Sequence, residues 1–114
     1  MGAVKVKEIN IERGNPTVET ATRDMVNRLT TAKATGYKAV ILVHGYGSSG
    51  TGGAIKIAVK GKLKERSMSG IVRDAAGGEE WMNRKKAFTD VCPQLKDFHP
   101  VIEGNRGVTV ILFR

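Results

Sequence analysis

The run His44-Gly45-Tyr46-Gly47-Ser48-Ser49-Gly50-Thr51-Gly52-Gly53 is the part of this chain best composed to hold an anion. Five glycines fall within the nine residues Gly45 to Gly53. One turn needs fewer, because a single position of positive φ usually suffices. The run lies between an unbroken apolar stretch, Ala39 to Val43, and a lysine-rich amphipathic segment, Ala54 to Arg66. A buried strand, a glycine turn and the start of a helix therefore meet there. Such a junction presents free backbone N–H groups and the positive end of a helix dipole, which together favour phosphate. Lys56 and Lys60 add cationic charge on the helix that follows. His44 closes the strand at its carboxyl end, the usual ligand edge of an open α/β sheet.

Two nucleotide motifs match only in part. Gly45, Gly47 and Gly50 spell G-x-G-x-x-G, but a lysine-rich helix follows where a dinucleotide site needs a strand ending in an acidic residue. Gly45 and Gly50 have the Walker separation, yet Thr51 stands where Lys is required. Two distant histidines, His44 and His99, and the single Cys92 form no zinc spacing, so no metal site and no cofactor are expected. Cys92 belongs to an apolar stripe and is expected to be a buried, inert thiol.

Composition narrows the partner. The 114 residues carry 19 Lys and Arg against 11 Asp and Glu, a net charge of +8. That excess favours an anionic macromolecule, and aromatic residues at 5% argue against a sheet of base-stacking rings. Contact with backbone phosphates suits the composition better. The length fits one domain, 1–114. One cysteine excludes an internal disulfide framework and fits a reducing cytoplasm. No apolar run reaches the length of a membrane span and no signal-peptide pattern opens the chain.

The elements that must position these residues are legible from periodicity. Ile9 and Ile11 alternate within a strand expected over Lys7 to Arg13; Val4 and Val6 sit on the opposite parity, so either the pairing starts near Lys7 or a bulge near Glu8 resets it. Asn15-Pro16 predicts a helix start, Val18, Ala21, Met25, Leu29 and Ala32 follow helical spacing, and Gly36 predicts its stop. Ala39 to Val43 predicts a central strand covered on both faces. In the next helix Ile55, Ala58, Val59 and Leu63 face inward, while Lys56, Lys60 and Lys64 recur every four residues and share one face. Trp81, Phe88, Val91, Cys92 and Leu95 predict the buried side of a further helix that Pro93 breaks. Arg84-Lys85-Lys86 gains interest only beside the lysine stripe. A closing hairpin is expected, with strands over His99 to Glu103 and Val108 to Phe113. The fold class is therefore α/β: a two-layer sandwich, β-α-β-α-(inserted helix)-β-β, with a four-stranded mixed sheet.

Val40-Ile41-Leu42-Val43-His44-Gly45-Tyr46-Gly47, followed by Gly50, resembles the second signature of the Smr (small MutS-related) domain family, a strand ending in His-Gly-x-Gly ahead of a helix. Gly107-Val108-Thr109-Val110-Ile111-Leu112 resembles that family's closing Gly-Val-Thr-Val strand. The motifs fall in the family's order over most of the chain, which leaves residues 67–95 as an insertion packing outside the sheet. The resemblance implies nucleic-acid binding and, in many members, endonuclease activity with or without metal. It departs at the first signature. Where the family has Asp-Leu-His-Gly, associated with cleavage, this chain has Asn10-Ile11-Glu12-Arg13-Gly14. Asn10 cannot act as a base.

Three functions follow as expectations. The first is a cytoplasmic module that holds structured RNA or branched DNA through the glycine run, Lys56 and Lys60, without cleaving it. The second is a nicking endonuclease with Glu12 and His44 as catalytic groups, the one case in which a divalent metal is expected. The third is a binder of a small phosphorylated metabolite. RNA against DNA and the oligomeric state stay open.

Overall fold

The computed structural model describes residues 5–46 and 52–114. Four strands form one mixed sheet: β1 (Val6–Asn10), β2 (Ala39–Val43), β3 (Val72–Gly77) and β4 (Val108–Phe113). Their spatial order is β1-β2-β4-β3, with β1 parallel to β2 and β4 antiparallel to both its neighbours. The expected central strands, Ala39 to Val43 and Val108 to Phe113, are the two inner ones. Four α-helices accompany them: α1 (Val18–Thr35), α2 (Gly52–Leu63), α3 (Trp81–Val91) and the short α4 (His99–Ile102). The mixed α/β class and the four-stranded mixed sheet are those expected.

Alternation along β2 and β4 divides the core in two. Val40, Leu42 and Ile111 point to one face, where they meet Ile9, Ala21, Met25 and Leu29 with Ile55 and Val59 of α2. Ala39, Ile41, Val110 and Leu112 point to the other, against Trp81, Phe88, Leu95 and Ile102. Each fully buried Leu, Ile or Met adds roughly 1.5–3 kcal/mol through the apolar surface removed from water. Helices thus cover both faces, and the layering is three-fold (α/β/α) rather than the two layers expected. The apolar character of every β2 residue is the local cause.

Four expectations are corrected in detail. The third strand is Val72–Gly77, so residues 67–95 supply a strand of the sheet instead of packing wholly outside it. His99 to Glu103 is not a hairpin strand: His99–Ile102 is helical, and Trp81 Nε1 donates to His99 Nδ1 at 3.1 Å. A chemical need to bury Trp81 with its N–H satisfied outweighs the short alternation there. β1 begins at Val6 and needs no bulge, because Val6 and Ile9 serve opposite faces of a sheet covered on both sides. Helix α1 is capped by Thr17, whose side chain accepts from the Thr20 N–H at 3.1 Å, whereas Asn15 sits before it at φ 49°.

The stops expected at Gly36 and Pro93 are in place: Gly36 ends α1 and Pro93 separates α3 from a following 3-10 turn. Trp81, Phe88, Cys92 and Leu95 are buried, while Val91 is 37% exposed. Burial raises the Cys92 thiol above its ordinary pKa, as for an inert thiol. Among the described residues, no helix is long and apolar enough to cross a membrane.

Candidate nucleic-acid interface

The end of β2 is built around His44, which is fully buried. Its Nδ1 lies 2.6 Å from the Gly45 carbonyl and its Nε2 2.8 Å from Thr109 Oγ1. A carbonyl only accepts, so Nδ1–H donates to Gly45 and Nε2 accepts from the Thr109 hydroxyl. Burial holds the ring below its ordinary pKa, against the Gly45 bond that favours the charged form. Lys56 and Lys60 lower it further and Glu79 raises it. The ring is neutral, and both its nitrogens are engaged within the protein. The main chain is fixed as well: the His44 and Gly45 N–H groups donate to the Gly107 carbonyl at 2.9 and 3.0 Å. Gly45 adopts φ 73°, a left-handed conformation that a side chain would strain. These contacts set the direction in which the chain leaves the sheet, and Tyr46, 53% exposed, is the first residue outside.

Of the glycine run, Gly47, Ser48, Ser49, Gly50 and Thr51 lie outside the described residues. Helix α2 opens at Gly52, and Gly53 backs onto the Tyr46 carbonyl. The lysine stripe is not uniform. Lys56 is nearly buried and forms an ion pair with Glu79, a residue that sequence reasoning passed over. Burial raises the Glu79 pKa, but the bonds and charge of Lys56 outweigh it and hold the carboxyl below its usual range. Lys60 and Lys64 are exposed and, among the described residues, have no ion-pair partner.

Glu12 leaves β1 at the same sheet edge as His44, since the Ile11 N–H donates to the Val43 carbonyl at 3.0 Å. It is exposed, in a turn that Asn10 organises by accepting from the Glu12 and Arg13 N–H groups at 2.9 and 3.1 Å. Asn10 thus does structural work where the Smr signature has an acid. His44 directs its nitrogens to Gly45 and Thr109, and Glu12 makes no hydrogen bond to it. Among the described residues no three His, Cys, Asp or Glu side chains gather as a metal-binding group.

Beside this edge lies a cleft of about 680 Å³ between α2, the 3-10 turn after it, and β3. Its inner end is floored by Gly77 and by Thr109, the partner of His44; Arg114 lines its outer end. Lys60, Lys64, Arg66, Arg73, Arg84 and Arg114 line it, against Glu65, Asp74 and Glu80. Arg84 thereby joins the lysine stripe, whereas Lys86 pairs with Asp90 away from it. The cleft had no signature in sequence, because its cations come from four separate segments that only the sheet brings together.

No protein-family model and no curated protein sequence matches the chain. Among solved structures, it is similar to the Smr domain of Thermus thermophilus MutS2. The two superpose with a TM-score of 0.58 and 27% identity, over 95% of this chain and 98% of that one. With the His-Gly-x-Gly signature at the end of its inner strand β2 and the Gly-Val-Thr-Val segment forming β4 beside it, this chain has an Smr-like fold.

Proposed function

We propose that this chain is a nucleic-acid-binding module that grips backbone phosphates of structured RNA or branched DNA and does not cut them. The observation that carries this is the anchoring of His44 and Gly45 to Gly107 and Thr109, which fixes where the connection from β2 to α2 leaves the sheet. Helix α2 begins directly after that connection, so its first-turn N–H groups, which have no partner within the helix, and its dipole favour phosphate there. Residues 45–53 would bind while His44 braces them from below, Lys60 would add charge, and Tyr46 would offer an exposed ring to a base. Lys56 would act through a shared contact, since Glu79 already holds it.

Cleavage requires a proton acceptor for the nucleophile and a donor for the leaving group. A neutral His44 with both nitrogens engaged and an exposed Glu12 without a bond to it supply neither, which favours binding over nicking. The test is incubation with labelled structured RNA and branched DNA, with and without magnesium, scored for retention and for cleavage. Retention without cleavage is expected. It should weaken with salt with a log–log slope of about −0.7 to −0.9 per phosphate contacted, and Glu12→Gln should leave it unchanged. Robust cleavage that Glu12→Gln lowers ~10²-fold would establish the nuclease instead.

A further inference from the structure

We infer that the cleft along β3 is a track for the sugar–phosphate backbone of a nucleic-acid duplex, extending the contact well beyond residues 45–53. The inference rests on the nucleic-acid function proposed above and adds a second site and a strand state to it. Charge is the first support. The three acids of the cleft are engaged: Asp74 with Arg84 at 2.5 Å, Glu65 with Lys62 at 2.9 Å, and Glu80 with the Gly77 N–H at 3.3 Å. Lys60, Lys64, Arg66 and Arg73 have no ion-pair partner among the described residues, and the Arg114 guanidinium donates to the neutral carbonyl of Ser69. Six cations against three carboxylates leave the lining with a net positive charge of three along one surface.

Shape is the second support. Strand β3 has six residues and spans roughly 20 Å. That length accommodates several consecutive phosphates of one strand. Among the described residues no aromatic side chain lines the cleft, and those residues offer no stacking platform of the kind that holds unpaired bases. A duplex keeps its bases inward and presents phosphates outward, which matches a lining of ammonium and guanidinium groups.

An acidic peptide adding a strand to β3 is the rival occupant, and the edge is blunted against it. The register shifts between Val72 and Asp74, leaving Arg73 as an extra residue. Asp74 takes the Ala75 N–H at 2.8 Å and Glu80 takes the Gly77 N–H. Two alternate main-chain donors that an added strand would need are thus already capped.

The experiment compares the unmodified protein, Lys64→Gln with Arg73→Gln in the cleft, and Lys86→Gln with Lys96→Gln outside it, two proteins of equal net charge. Binding to labelled blunt-ended RNA and DNA duplexes, to unpaired strands and to a polyglutamate peptide is measured from about 50 to 200 mM salt. Thermal unfolding verifies that each variant is folded. The cleft pair should lose duplex affinity about tenfold per contact near 0.1 M salt, with a slope shallower by ~0.9 per contact, and the outside pair should match the unmodified protein. Equal behaviour of the two pairs, or loss confined to unpaired strands, would overturn the duplex track and leave the proposed function standing. Peptide binding lost with duplex binding intact would reassign the cleft to a protein partner. Absence of any nucleic-acid binding by the unmodified protein would remove both proposals.

Discussion

At the end of β2, polar groups are partnered within the protein: His44 by Gly45 and Thr109, Lys56 by Glu79. Along β3, a short distance across the sheet, Lys60, Lys64, Arg66 and Arg73 stand without such partners among the described residues. The first region is buried, where an unmade hydrogen bond costs its full desolvation, so its chemistry is tied up in holding a shape. The second is open to water, where an unpaired cation costs little and stays available to a ligand. A histidine in a signature motif is thus a scaffold here, and residues with no motif at all form the more accessible charged surface.

That contrast is open to attack at each point, beginning with the turn that holds Glu79 against Lys56. A Cβ at Gly78 would collide with the main-chain carbonyls of Asn105 and Ile102, which cannot move without displacing the loop. Gly78→Ala should cost about 3 kcal/mol or more, read by urea unfolding, because overpacking against backbone has no cheap relief. A loss under ~1 kcal/mol would show that the turn is softer than its contacts suggest.

Thr109→Val probes the His44 lock itself. It preserves volume closely and leaves Nε2 buried without a donor, so a loss of about 1–3 kcal/mol is expected in the same measurement. If His44 were instead a solvent-linked catalytic group, the loss would be negligible and activity would change.

A smaller effect appears in pH dependence. The His44 pKa is lowered in the folded protein, so between that value and the unfolded value of about 6.5 the unfolded chain binds more protons. His44 therefore contributes stability fully present above pH ~6.5 and lost progressively as pH falls through the folded pKa. Unfolding midpoints measured from neutral pH downward should fall more steeply for the unmodified protein than for His44→Gln. At the far end of the scale, the cleft pair Lys64→Gln with Arg73→Gln should move stability by less than ~0.5 kcal/mol, as exposed substitutions do.

Local chemistry carried much of this architecture. The all-apolar Ala39–Val43, the spacing of Ala21, Met25, Leu29 and Ala32, and Gly36 as a stop identified β2 and α1 before any tertiary information. The third strand was missed because Val72-Arg73-Asp74-Ala75-Ala76-Gly77 has little alternation and no bulky apolar residue after Val72. Its place is decided by pairing with β4, a partner distant in sequence. His99 to Ile102 erred the other way, since a plausible strand became the cover for Trp81.

For the candidate site, the sequence by itself determined that His44 ends a buried strand and that lysines follow a glycine run. These are properties of neighbours in the chain, and residue type with spacing encodes them. Tertiary structure alone decided that His44 has no nitrogen to offer, that Glu79 holds Lys56, and that Arg73, Arg84 and Arg114 meet Lys60 and Lys64 across one cleft. Each of those outcomes depends on which strands pair and which face a helix covers. Such choices are set by burial summed over the whole core, to which no short segment holds the key.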